Sequence, residues 1–209
     1  MTGIVGIGIG AGVVSALLTL VIATGSPLAL LLFFLAPLPI AIAALGWNHK
    51  AGLIGAAVGA LALGLSPLFF GGGINLRMAV IHAVSTSLPA WWFSFLTLLA
   101  RPAAPPSQGV EWYPVGRVLA WIAAVAAAVT IIGVATIALD YEAYVRAFGR
   151  AVDLVERINP GLFDRLPVDQ RPQARAAIAE IVAALAPPIS ATLSVWITAA
   201  LLVAAGRLV

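Results

Sequence analysis

The chain has no cysteine, which excludes disulfides, thiol nucleophiles and thiolate-ligated metals and leaves the compartment open. Charge is nearly as scarce: Asp, Glu, Lys and Arg make up 9% of the 209 residues, and the first 49 residues contain none of them. A run of that length offers water no charged face, so it is not the surface of a soluble domain. The two histidines, His49 and His82, lie too far apart in sequence to begin a metal site. No HExxH, GxSxG or intramembrane carboxylate pair is present, so familiar hydrolytic constellations lack their residues. No catalytic residues, cofactors or metal are expected.

What is present is apolar: 62% of the residues are hydrophobic. They gather in runs at residues 3–24, 27–46, 51–70, 78–100, 118–139 and 189–206, each near the roughly 20 residues that cross a bilayer as a helix. Backbone left unpaired in lipid is costly, so these runs read as helices rather than strands. The sequence thus predicts an all-α, polytopic membrane protein with six transmembrane helices, in one membrane domain over 1–209 whose partner is the lipid bilayer. No basic segment precedes the first run and the second follows directly after Thr24, so a cleaved signal peptide is not expected. The net charge is +3, but the basic residues sit at span ends or among acids, as topology signals do, and nucleic acid is not an expected partner.

Of the 19 charged side chains, 13 fall between Asp140 and Glu180. There Tyr141, Tyr144, Val145, Phe148, Val152 and Val155 recur at helical spacing opposite Glu142, Arg146, Arg150, Asp153, Glu156 and Arg157, the pattern of an amphipathic helix. Glu142–Arg146 and Asp153–Arg157 are candidate i,i+4 pairs, and Asn159-Pro160-Gly161 is a stop signal. A second helix over 170–186, with Asp169 as N-cap and Ala174, Ile178, Ile181, Val182 and Leu185 on one face, is expected to end at Pro187-Pro188. Residues 140–188 therefore read as an extramembrane, amphipathic helical hairpin between spans five and six, either capping the bundle or meeting a partner.

Prolines mark irregular helix: Pro37 and Pro39 in span two, Pro67 near the end of span three and Pro89 in span four. Such breaks either are absorbed by neighbouring helices or line a substrate cavity. Gly6-xxx-Gly10 and Gly8-xxx-Gly12 in span one, continued by Ser15 and Ala16, and Gly52, Gly55 and Gly59 in span three provide small-residue faces for close helix packing, within the chain or with a partner subunit. The glycine run lacks nucleotide-loop spacing.

Span four concentrates intramembrane polarity. Asn75 stands at its entrance, and His82, Ser85, Thr86 and Ser87 precede Pro89. An ionisable residue inside a span is a functional-site hypothesis, so Asn75, His82, Ser85 and Thr86 are candidate ligand contacts, with Trp91 and Trp92 as an apolar wall. The competing reading is interhelical hydrogen bonding alone. Trp47, Trp112, Tyr113 and Trp121 read as interfacial anchors, and His49 beside Lys50 as a loop residue facing water or headgroups. With the N-terminus cytoplasmic, Lys50, Arg101, Arg117 and Arg207 fall inside against Arg77 outside, which favours that orientation.

The Gly-rich first span running into Ser15-Ala16-Leu17-Leu18, Pro37-Leu38-Pro39 with Leu45-Gly46-Trp47, the Phe69–Asn75 glycine loop, Ser87-Leu88-Pro89-Ala90 and Ala205-Gly206-Arg207 resemble the YybS-like bacterial membrane proteins, a domain of unknown function. That family is distantly similar to the S components of energy-coupling-factor transporters, six-helix proteins that capture vitamins or related small molecules. The resemblance implies a multi-pass protein of the bacterial inner membrane, a small-molecule or lipid-binding transport subunit without catalysis, with the span-one face meeting a coupling subunit. The insertion before span six is longer than a minimal S component needs, and no vitamin-specific pocket motif is recognisable. The alternative is an accessory or scaffolding subunit of a larger membrane complex, with no ligand of its own. A deep polar cavity beside His82 favours the first; a solid interior with large apolar surfaces on spans one and three favours the second.

Overall fold

The apolar runs fold as helices, because only a helix answers its own backbone groups where no water can. A computed structural model describes residues 2–24, 26–70, 72–103, 109–159, 161, 163–164 and 166–209. In chain order the elements are α1 Thr2–Leu20, α2 Pro27–Phe34, α3 Leu38–Gly46, α4 His49–Leu65, α5 Leu76–His82, α6 Leu88–Thr97, β1 Ala100–Pro102, β2 Val110–Trp112, α7 Val115–Ile137, α8 Tyr141–Ile158 and α9 Arg171–Leu208. Six helical stretches, Thr2–Thr24, Pro27–Gly46, His49–Phe69, Leu76–Thr97, Val115–Ile137 and Arg171–Leu208, are long and apolar enough to cross a membrane. The protein is an all-α, multi-pass integral membrane protein.

The prolines act where the sequence places them. Span two breaks between α2 and α3 at Leu35–Pro37, since Pro39 has no N–H for the Leu35 carbonyl. The α-helix of span three gives way at Ser66 to a 3₁₀ turn containing Pro67. In span four Pro89 withholds its N–H from Ser85, and the chain responds with a π turn over Ala83–Ser87. There the Leu88 N–H reaches back to Ala83 O and Ser87 Oγ donates to His82 O at 3.1 Å.

Span four ends at Thr97 rather than near residue 100, because the next residues form a short antiparallel hairpin, β1 against β2, that pairs Arg101 with Glu111. That hairpin lies in what the sequence reading treats as a plain connection.

Two compact units are present, one of Met1–Val125 with Val195–Val209, the other of Ala126–Ser194. In the first, α4 is packed along α1 and also meets α3 and α5. A second cluster there joins Phe93 and Leu96 of α6 to Val118 and Ile122 of α7.

In the second unit α8 turns its apolar side inward. Tyr144 and Val152 are buried, Val145 and Phe148 half-buried, and Tyr141 and Val155 exposed. Val152 packs with Phe163 and Ala179. Asp140 caps α8 by accepting from the Ala143 N–H at 2.9 Å, and Asn159 ends it; Pro160 lies outside the described residues. The Glu142–Arg146 pair forms at 3.4 Å. Among the described residues no ion pair joins Asp153 to Arg157; Glu156 instead binds Arg175 of α9, whose guanidinium stands over the Phe163 ring.

The Pro187-Pro188 pair does not separate a hairpin helix from span six. Both prolines lie inside α9, one helix of 38 residues. Each removes a single backbone N–H, and the helix continues from bonds on either side. Of the face read from the sequence, Ala174 packs on the Val152–Phe163–Ala179 cluster, whereas Ile178, Ile181, Val182 and Leu185 are exposed; Ala179 and Ala183 are buried.

Candidate functional site

Small residues build the seam between α1 and α4. A Cβ placed on Gly8 would stand 2.7 Å from Ala51 O, and one on Gly12 2.5 Å from Gly55 O. From the other side, Cβ atoms on Gly55 and Gly59 would each stand 3.2 Å from the carbonyl oxygens of Gly8 and Gly12 respectively. Backbone therefore meets backbone, which any larger side chain would prevent. Gly52 does the same against α3, where its Cβ would stand 2.5 Å from the Ala44 Cβ.

Gly6 and Gly10 do not belong to this seam. Both are exposed, with nothing within 4 Å of an added Cβ. Residues two apart on a helix face opposite ways, so Gly6 and Gly8 cannot share the single face expected of them.

At the seam sits His82, the last residue of α5, only 2% exposed. Its Nε2 is 3.5 Å from Ser15 Oγ and its Nδ1 is 3.3 Å from Thr19 Oγ1. Thr19 Oγ1 also donates to Ser15 O at 3.0 Å. A threonine hydroxyl has one proton, and here it is committed to that carbonyl, so toward the ring Thr19 can only accept. Hydrogen accounting thus places a proton on Nδ1 and leaves Nε2 to accept from the Ser15 hydroxyl. A Cβ on Gly59 would stand 3.2 Å from Nε2; the absent side chain is the space the imidazole uses.

The remaining candidates of span four are dispersed. Asn75 caps α5, its Oδ1 accepting from the Met78 N–H at 3.1 Å. Ser85 is exposed and donates to Ile81 O at 2.7 Å; Thr86 is half-buried and 3.3 Å from Ser85 Oγ. The π turn explains why Ser85 does not follow His82 inward. It bonds residues five apart rather than four, and it is Ser87, five on from His82, that is fully buried.

Trp91 and Trp92 start about 14 Å further along the helix at 1.5 Å per residue and belong to an aromatic cluster. Trp91 stacks on Phe95 at 5.9 Å and donates its indole N–H to His49 O at 3.0 Å. Trp92 meets Trp121 edge-on at 5.8 Å. His49 is accordingly not a loop residue. It opens α4, half-buried, with its ring 5.4 Å from that of Phe95.

Neither of two pockets lined by described residues includes the span-four candidates. One is a cleft of about 10 Å³ among Pro37, Ala41, Ala90, Phe93, Thr198, Leu201 and Leu202, room for about one water. The other is an open groove lined by Asp153, Glu156, Arg157 and Arg175, balanced in charge. Among the described residues no group of three or more His, Asp or Glu side chains is placed to hold a metal.

Thr19 is the participant the sequence reading passes over. Its position four residues after Ser15, on the same helix face, is the signal that identifies it. Comparison with protein-family models, curated proteins and solved structures gave no match.

Proposed function

We propose that this integral membrane protein is a noncatalytic accessory or scaffolding subunit of a larger complex in a bacterial inner membrane, with its N-terminus cytoplasmic. One observation carries the reading: His82, a buried ionisable group of span four, is closed in by Ser15, Thr19 and Gly59 of its own chain, which leaves its polar atoms nothing to ask of a ligand. Hydrolytic use of the Ser15–His82 pair would need an accessible hydroxyl and free N–H donors for the developing oxyanion. Ser15 is fully buried in the middle of α1, where neighbouring N–H groups serve the helix.

A second reading, an S-component-like subunit that binds a small molecule or lipid, draws on the resemblance to the YybS-like proteins and on the broken spans, since interrupted helices and π turns recur at binding sites. Native mass spectrometry of the gently solubilised protein separates the two. Release of other membrane subunits with a ligand-free chain is the expected result. A lone chain carrying a stoichiometric small molecule would overturn it in favour of the second reading.

A further inference from the structure

Residues 181–206 contain no charged side chain and lie within α9. These 26 residues extend about 39 Å as helix, longer than the roughly 30 Å hydrocarbon core and close to the full thickness with headgroups. On the part of α9 before Pro187, one face is buried by small residues, Ala179 and Ala183, toward the packed interior of its unit. The other carries Ile178, Val182 and Leu185, continued beyond the prolines by Ile189 and Leu193, all at least 36% exposed. Their spacing of three or four residues makes one stripe along one helix.

We propose that this stripe contacts lipid acyl chains on both sides of Pro187-Pro188, so that span six enters the bilayer near Ile181 rather than at Ile189. Three observations select lipid over a protein partner. The stripe is continuous with the apolar face of a span in the same unbroken helix. It contains only Ile, Val and Leu, whereas helices associate in lipid through small residues and polar groups, as the α1–α4 seam of this chain does. The nearest charges, Arg175 before the stripe and Glu180 just after its first member Ile178, mark where the helix leaves the apolar region. The carbonyls of Ala183 and Ala184, deprived of donors by the two prolines, then lie near the edge of the bilayer rather than at its centre.

The absence of cysteine makes the test direct. Single-cysteine variants at Gln173, Val182, Leu185 and Leu193 would be spin-labelled in the full chain, reconstituted into phosphatidylcholine–phosphatidylglycerol vesicles, and read by collision with oxygen and with a water-soluble nickel chelate. Oxygen collisions are expected to exceed nickel collisions at Leu185 as at Leu193, with the order reversed at exposed Gln173. Nickel collisions exceeding oxygen at Leu185 would place this segment in water, and protection from both probes would place it under protein; either result overturns the proposal. Should the label at Leu185 prevent reconstitution, Val182, one turn earlier on the same face, decides in its place. The outcome is independent of whether the protein serves as a scaffold or binds a ligand.

Discussion

The Ser15–His82–Thr19 cluster links α1 to the end of α5 through two side-chain hydrogen bonds. Such bonds in membrane proteins contribute about 0.6 kcal/mol on average and seldom more than about 1.7, because the alternative state also finds partners. Ser15→Ala is therefore expected to cost about 1 kcal/mol, since it removes the hydroxyl that donates to Nε2. His82→Ala should cost more, about 2–3 kcal/mol, since it adds a cavity to the two lost bonds. Unfolding titrations in mixed micelles measure both. A loss at His82 no larger than that at Ser15 would show that the imidazole is not held as described. The capping role of Asn75 gives a separate expectation: Asn75→Ala leaves the Met78 N–H without its acceptor and should cost about 1 kcal/mol.

Among the elements, α1 shows how much of the fold the sequence could convey. Its length, apolarity and glycines announce a packing helix; the seam sets Gly8 and Gly12 against Gly55 and Gly59, a pairing the sequence leaves open. The sidedness was recoverable, since a two-residue offset turns Gly6 and Gly10 away from Gly8 and Gly12. The π turn was less legible. Pro89 forecasts an interruption, but whether the helix kinks or widens by one residue depends on how the freed carbonyls are met, here with help from Ser87. That register change moves Ser85 outward and dissolves the polar stripe drawn on an ideal helix. In α9 the proline pair, a strong stop signal in sequence, does not end the helix, because each proline removes only one N–H and the bonds on either side carry the helix through. The two faces of α1 allow a sharp comparison. Gly12→Leu must push α4 away and is expected to destabilise the fold by more than about 2 kcal/mol. Gly10→Leu meets open space and should leave intramolecular stability unchanged. If the Gly6–Gly10 face meets another subunit, Gly10→Leu will still release that subunit on co-purification. Equal destabilisation by both variants would contradict the assigned seam.

For the whole molecule, six spans put the segment before span one and the residues after span six on the same side of the membrane. The segregation of charge then selects between two orientations. Lys50, Arg101, Arg117 and Arg207 share one side; Arg77 and the residues connecting spans five and six share the other. Short connections obey the positive-inside bias most strongly. The long connection carries six Arg against seven acids between Asp140 and Glu180, and Arg146, Arg171 and Arg175 are ion-paired to acids of the same unit. Its basic residues thus weigh little against translocation, and the proposed orientation has Lys50 in the cytoplasm and Arg150 outside. Single cysteines at these two exposed positions, treated in intact cells with a membrane-impermeant maleimide, are expected to react at 150 and to stay protected at 50 until the cells are lysed. The opposite pattern would invert the topology, and with it the side on which any partner must approach the charged unit.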